Sequence, residues 1–254
     1  MGSCGARRWD NARVSDSPAL WLWLDVESTG LLDSRPAVLE AAWMITDGKL
    51  GQLTPLRQRL CAIPCAPTRW ERLTSWLRPD PLREWPSRLM SDGVLKMHIR
   101  SGLDADWKTA EKIRDVQDLD MAIHEDHLAA LQLLDPDGAD EVPLYLAGAG
   151  VAQFEARLLP MIGSIYPTQL HYRAADVSVA RMVAGLPKTV TSWSEADGLQ
   201  IDPQPGVDEL RAFGNEHRAA ADVQAAYAAA RDLRARLQAP EVAVTYQWSG
   251  ESAP

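Results

Sequence analysis

The chain has 254 residues, 46% of them hydrophobic, which is enough for one large α/β domain with a substantial core. Its formal net charge of −9 argues against sequence-independent gripping of long duplex, which relies on many Lys and Arg contacts to phosphate. Three cysteines make no disulfide framework, no apolar run reaches the roughly 18 residues of a membrane helix, and the N-terminus lacks a signal-peptide core, so a cytoplasmic location away from membranes is expected.

Residues 1–18 read as a disordered tail and 19–239 as one domain. Strands are expected over 20–26 and 37–47, separated by a loop of Asp33, Ser34, Arg35 and Pro36. PLRQRLCAIP offers a third strand that completes a β-meander. The Pro- and Trp-rich stretch that follows reads as an irregular insertion, and the longer region near 52–89 is set apart with it. A helix is expected over 105–134, with Ile113, Val116, Leu119, Ile123, Leu128 and Leu131 on its apolar side. His124 and His127 on it are read as part of a solvated face. VPLYLAGA (142–149) is a buried-strand candidate leading into a helix over 152–162, and another helix is expected from Val177 to Ala184. Residues 186–212 form a second insertion, rich in Pro, Gly, Asp and Ser. The Ala-rich segment 216–238 should be the longest helix. A tail, 240–254, either adds an edge strand or stays loose. Strands and helices in this order give a central sheet with helices on its faces.

Asp25 and Glu27 interrupt the apolar run WLWLDVESTG two residues apart, so strand geometry points both to one face. Burying two like charges unpaired would cost several kcal/mol. A salt bridge, a raised pKa or a divalent cation could each relieve the repulsion.

Further motifs bear on this choice. DVESTGL (25–31) resembles the first motif of the DEDD exonucleases, and HRAAAD (217–222) resembles the third motif of their His-bearing subclass. MSDGVLKMHIRSGL (90–103), AGAGVAQFEARLL (147–159) and HYRAADVS (171–178) resemble stretches of oligoribonuclease within that superfamily. The resemblance implies a ribonuclease H-like mixed central sheet flanked by helices, and a 3′→5′ exonuclease that hydrolyses short single-stranded oligonucleotides, RNA in first place, to 5′-mononucleotides. It also implies a homodimer. In one respect the chain departs from the pattern: the second motif normally carries an Asp, yet no Asp occurs between Asp140 and Asp176. Phe154 and Glu155 compete for that position. Glu155 is favoured, because it also brings Arg157 and Leu159 onto the pattern, with one residue inserted before it.

On this resemblance Asp25, Glu27, Glu155 and Asp222 hold two divalent cations, Mg²⁺ or Mn²⁺, hard ions that prefer carboxylate oxygens. His217 takes the proton from the attacking water, since imidazole titrates near neutral pH. Five residues along a helix turn by about 140°, so His217 belongs on the loop or first turn before Asp222, with Asn215 as a possible cap. Leu31 is read either as a wedge against a terminal base or as a core leucine after Gly30. Tyr172, Arg173 and Ser178 fall where the family caps a 5′ phosphate, partly from a neighbouring subunit. His98 is read either as substrate-proximal or as a structural hydrogen bonder, and Asp176 as a helix cap. A DNA-trimming exonuclease and a catalytically impaired nucleic-acid-binding homologue are the alternative readings.

Overall fold

The computed structural model describes residues 18–66, 82–138, 142–186, 199–207 and 217–238. The expected terminal tails, and the strand considered after Pro240, lie outside these residues. Three strands open the fold: β1 (Leu20–Ser28), β2 (Val38–Asp47) and β3 (Leu56–Ile63). Three helices follow, α1 (Asp92–Ser101), α2 (Leu103–Thr109) and α3 (Val116–Leu134). The chain then runs through β4 (Leu144–Gly148), α4 (Glu155–Ile162), β5 (Leu170–Asp176) and α5 (Val177–Val183), and ends with β6 (Ile201–Asp202) and α6 (Ala219–Gln238).

The six strands form one sheet in the order β5-β4-β1-β2-β3-β6. β2 runs antiparallel to both neighbours, as the short connections on either side of it require, and the remaining pairs are parallel. This is the α/β class expected, a mixed central sheet flanked by helices.

Alternation along β1 divides its side chains between two layers. Leu20, Leu22, Leu24 and Val26 pack with Leu119 and Ile123 of α3 and Leu158, Leu159 and Ile162 of α4. Trp23 points the other way, against Ala220, Val223, Ala226 and Tyr227 of α6, and meets the Tyr227 ring edge-on at 5.7 Å. Each fully buried side chain of this size contributes about 1.5–3 kcal/mol. The alanines let α6 lie close to the sheet, and that closeness matters for the site.

The structure revises several expectations. The helix expected over 105–134 is two, because residues between them join the sheet's edge: the Ile113 N–H donates to Leu60 O (2.9 Å) and Ile113 O accepts from the Ala62 N–H (2.7 Å). Asp115 then restarts the helix by capping α3, accepting from the Gln117 N–H at 2.9 Å. The buried side of α3 runs through Leu119, Ile123, Asp126, His127 and Ala130, while Leu128, assigned to the apolar side, is 52% exposed. His127 is therefore buried rather than solvated. Its neighbour Asp126 accepts from Trp43 Nε1 (2.8 Å) and from Arg57 Nε (2.6 Å). Within the insertion near 186–212 the structure places β6, which pairs parallel to β3. Two elements had no counterpart in the sequence reading, α1 and the solvent-exposed strand β5. No helix among the described residues is long and apolar enough to cross a membrane.

Candidate active site

β1 extends past the end of β4: their pairing stops at Trp23–Ala147, whereas β1 continues to Ser28. Asp25 and Glu27 stand on this projecting end, on the face that Trp23 presents to α6. Asp25 is half-buried and Glu27 is buried. Burial, reinforced by Glu155, Glu27 and Asp222, raises the Asp25 carboxyl well above its usual range. Glu27 is raised too, again chiefly by burial and then by Asp222 and Glu40, with Arg218 pulling against them.

Glu155 reaches the same place from another direction. It is the first residue of α4, at the end of the loop after β4, and is 4% exposed. That loop hugs the sheet closely. A Cβ on Gly148 would lie 2.3 Å from the Val151 side chain, so only glycine fits there. The amides of Glu155 itself and of Val26 donate to the carboxylate, yet burial dominates and pushes it up to about 7. Its Oε2 is buried without a hydrogen-bond partner. Of the two competing positions, Glu155 is the one whose carboxylate stands beside Asp25, while Phe154 packs against the main core cluster.

Asp222 and His217 come from the start of α6. Asp222 is half-buried in the first turn and adds charge repulsion to Asp25, Glu27 and Glu155 alike. His217 lies two residues before the helix, exposed, with φ +60°. Asn215, considered as its cap, lies outside the described residues. Ligand atoms of Glu27, His217 and Asp222 fall within 4.8 Å of one another. The structure thus brings together all five residues first singled out for the chemistry, from the three elements β1, α4 and α6 and the one loop before α6.

The residues named for substrate contact divide. Leu31 is 75% exposed and lines a cleft of about 440 Å³ together with Glu155, Gln153, Phe154 and the exposed Arg157. His98 has no exposed surface; its Nε2 donates to Ser28 O at 2.8 Å, and Nδ1 lies 3.8 Å from Glu27 Oε2. It stands behind the acidic cluster, supporting the end of β1, and touches no solvent-borne group. The Ser178 Oγ donates to Asp176 Oδ1 at 2.6 Å, inside a cap in which Asp176 also accepts from the amides of Ser178, Val179 and Gly150. Tyr172 (82% exposed) and Arg173, stacked over its ring at 5.3 Å, sit on the outer strand β5 near the level of Trp21. At about 3.3 Å per residue and 4.8 Å per strand, that leaves them about 13 Å below Asp25 and about 10 Å to its side. They are not part of the same cluster within one chain.

One group of residues escaped the sequence reading. Arg218 and Glu40, both without exposed surface, form a buried ion pair directly behind Glu27. A Glu in the apolar run AVLEAAWMITD is a visible anomaly of the same kind as Asp25, and it was the available signal.

No family model and no curated protein matches the chain. Among solved structures it is similar to Escherichia coli exonuclease I in complex with a dT13 oligonucleotide (16% identity, TM-score 0.48, covering 86% of this chain and 41% of that one). It is also similar to the zinc-bound form of the E. coli ExoI–ssDNA complex (14%, TM-score 0.46, 87% and 41%) and to a moderately thermophilic exonuclease I from Methylocaldum szegediense (17%, TM-score 0.44, 86% and 41%). The chain spans about two fifths of the length of these proteins.

Proposed function

We propose that this protein is a metal-dependent 3′→5′ exonuclease that hydrolyses short single-stranded oligonucleotides, oligoribonucleotides foremost, to 5′-mononucleotides. One observation carries the proposal. Four carboxylates from β1, α4 and α6 converge on one point, three of them driven toward protonation by burial and mutual repulsion, beside an exposed imidazole. A fold bears such a cluster at a cost in stability, and clusters of this kind concentrate at functional sites. The DVESTGL and HRAAAD motifs supply the reaction class.

The donor set fits divalent cations of the hard class. All four carboxylates offer oxygen, Glu155 Oε2 has no other partner, and Glu27, His217 and Asp222 lie within the span of one ion's ligands. Asp25, Glu27, Glu155 and Asp222 would hold the ions, which when bound supply charge neutralisation at the phosphate and a more acidic water. His217, exposed and outside the regular helix, would accept the proton from that water at an imidazole nitrogen. Leu31, across the cleft from Glu155, would press on the terminal base and keep the last phosphodiester over the carboxylates. Arg157 on the same rim would meet the strand's phosphates. Tyr172 and Arg173 lie too far from Asp25 to serve their own chain's site, so a 5′-phosphate cap built from them would come from a second copy in a homodimer.

The test is product analysis with labelled dimers and 24-mers of RNA and DNA, with and without Mn²⁺. The proposal expects Mn²⁺-dependent release of 5′-mononucleotides from the 3′ end, fastest from the RNA dimer. Equal rates on DNA and RNA would move the assignment to a DNA-trimming enzyme. Binding without release would mark an impaired homologue.

A further inference from the structure

Arg218 is the one charged residue among the largest fully buried side chains of the described residues. Its Nη2 donates to Glu40 Oε1 at 2.7 Å and its Nε to both Glu40 oxygens at 3.2 and 3.1 Å, while Nη1 donates to Asp106 Oδ2 at 2.9 Å. Glu40 accepts further bonds from the Ala219 N–H (2.9 Å) and from Gln58 Nε2 (2.7 Å). A guanidinium buried this completely is tolerable only with full pairing, and apolar residues of similar volume commonly do as well for stability. The network ties the start of α6 to β2 and to α2.

The residues on either side of this anchor are the ones the site needs. His217 precedes Arg218 and holds φ +60°, a left-handed conformation that costs a non-glycine residue roughly 1 kcal/mol or more. Its own side chain is exposed, whereas that of its neighbour Arg218 is fully buried, so among the described residues Arg218 is the one that fastens this stretch of backbone to the core. On the other side, the Asp222 N–H donates to Arg218 O at 3.0 Å and so forms the first turn that carries Asp222 to the cluster. Glu40 is also the direct cross-strand partner of Glu27 in the β1–β2 ladder. One ion-paired unit therefore touches the backbone frame of Glu27, Asp222 and His217 together.

We propose that Arg218 is a positioning residue: its pairing with Glu40 and Asp106 holds His217 in the left-handed backbone that sets the imidazole against Glu27 and Asp222. This rests on the reading of His217 as the proton acceptor. Arg218→Lys keeps the charge but replaces a planar fork by a single ammonium that cannot span both anions.

The experiment measures single-turnover hydrolysis at saturating Mn²⁺ in the wild-type protein, Arg218→Lys, His217→Ala and the double variant. Arg218→Lys should slow the chemical step about 10²-fold, the scale of a misplaced reacting group. In the His217→Ala background it should add less than about threefold, since interacting residues are not additive. A full second loss in that background, as a merely structural arginine would give, overturns the proposal. Paramagnetic broadening of the His217 Cε1–H resonance by bound Mn²⁺, identified by its absence in His217→Ala, gives a readout independent of turnover. Broadening should weaken in Arg218→Lys at equal Mn²⁺ occupancy, and unchanged broadening refutes the positioning role. A wild-type protein that binds Mn²⁺ and cuts no oligonucleotide counts against the nuclease reading, while the broadening still decides the role of Arg218. If Arg218→Lys does not fold by circular dichroism, Asp106→Asn takes its place. It retains the Glu40 pair and loses one anchor, and additive losses with His217→Ala again overturn the proposal.

Discussion

Glu155 concentrates the chemistry of the site in one side chain. Its carboxyl has one oxygen without a partner and is pushed up to about 7, chiefly by burial. Glu155→Gln keeps the length and removes the charge, so it should cost most of the Mn²⁺-dependent activity. Phe154→Asp should not rescue that loss in the double variant, because residue 154 packs against the core; recovery on adding Phe154→Asp would show that Glu155 is a bystander. The raised pKa also fixes a sign. In the metal-free protein the folded state holds the Glu155 proton up to about pH 7, whereas an unfolded Glu loses it near 4.5. Between those values the folded state binds more protons, so this group's stabilising effect is present below about 4.5 and is lost as pH rises toward 7. Urea denaturation in EDTA should therefore show Glu155→Gln gaining on the wild type between pH 4.5 and 8, by up to about 3 kcal/mol. Parallel curves for the two proteins would contradict the buried, cation-free environment described for it.

Among the elements, α6 sets the depth of the site. Ala220 and Ala226, both buried, face Trp23, and the absence of bulk there is what lets Asp222 approach β1. Ala220→Leu should destabilise the protein by about 1–3 kcal/mol through overpacking and weaken Mn²⁺ binding as the helix start moves outward. Leu237→Ala near the far end, where Leu237 is 74% exposed, should leave both within error. Isothermal titration with Mn²⁺, alongside thermal denaturation, checks this contrast; equal effects would mean that packing under the first turn does not set the site. The same element shows what sequence can and cannot convey. Its alanines announce a helix, and the 140° argument places His217 off the regular part, where the structure has it. The strands β1 and β2 are legible because apolar runs bounded by turn residues leave little choice. The break between α2 and α3 is not legible, because it is set by Ile113 pairing with β3, a contact between segments far apart in the chain. For the same reason the Arg218–Glu40 pair was missed: Glu40 stands out in its apolar run, but its partner lies far along the chain and only the fold unites them.

At the scale of the whole molecule, the sheet order decides what one copy can do alone. Asp25, Glu27, Glu155, His217 and Asp222 gather where β1 overshoots β4, while Tyr172 and Arg173 stay on the outer strand two places away. Selection for short 5′-phosphorylated strands would therefore depend on a second copy. Arg173→Ala should erase most of the preference for a dinucleotide over a 24-mer, and dilution that dissociates the protein should do the same in the wild type. A preference that persists in both cases would place the length-measuring device within one chain. Loss of His217 should act differently, slowing the chemical step by roughly 10²–10⁴-fold at every substrate length without loss of Mn²⁺ binding. Beneath these expectations lies the claim that the acidic cluster exists to hold cations over a phosphodiester. The most direct measurement is hydrolysis of a labelled oligoribonucleotide by Asp25→Asn at saturating Mn²⁺, with the fold verified by circular dichroism. Asp25 stands beside both Glu27 on its own strand and Glu155 on α4, so removing its charge should abolish turnover while the sheet stays intact. Near-normal release of mononucleotides by a folded Asp25→Asn protein would contradict the account.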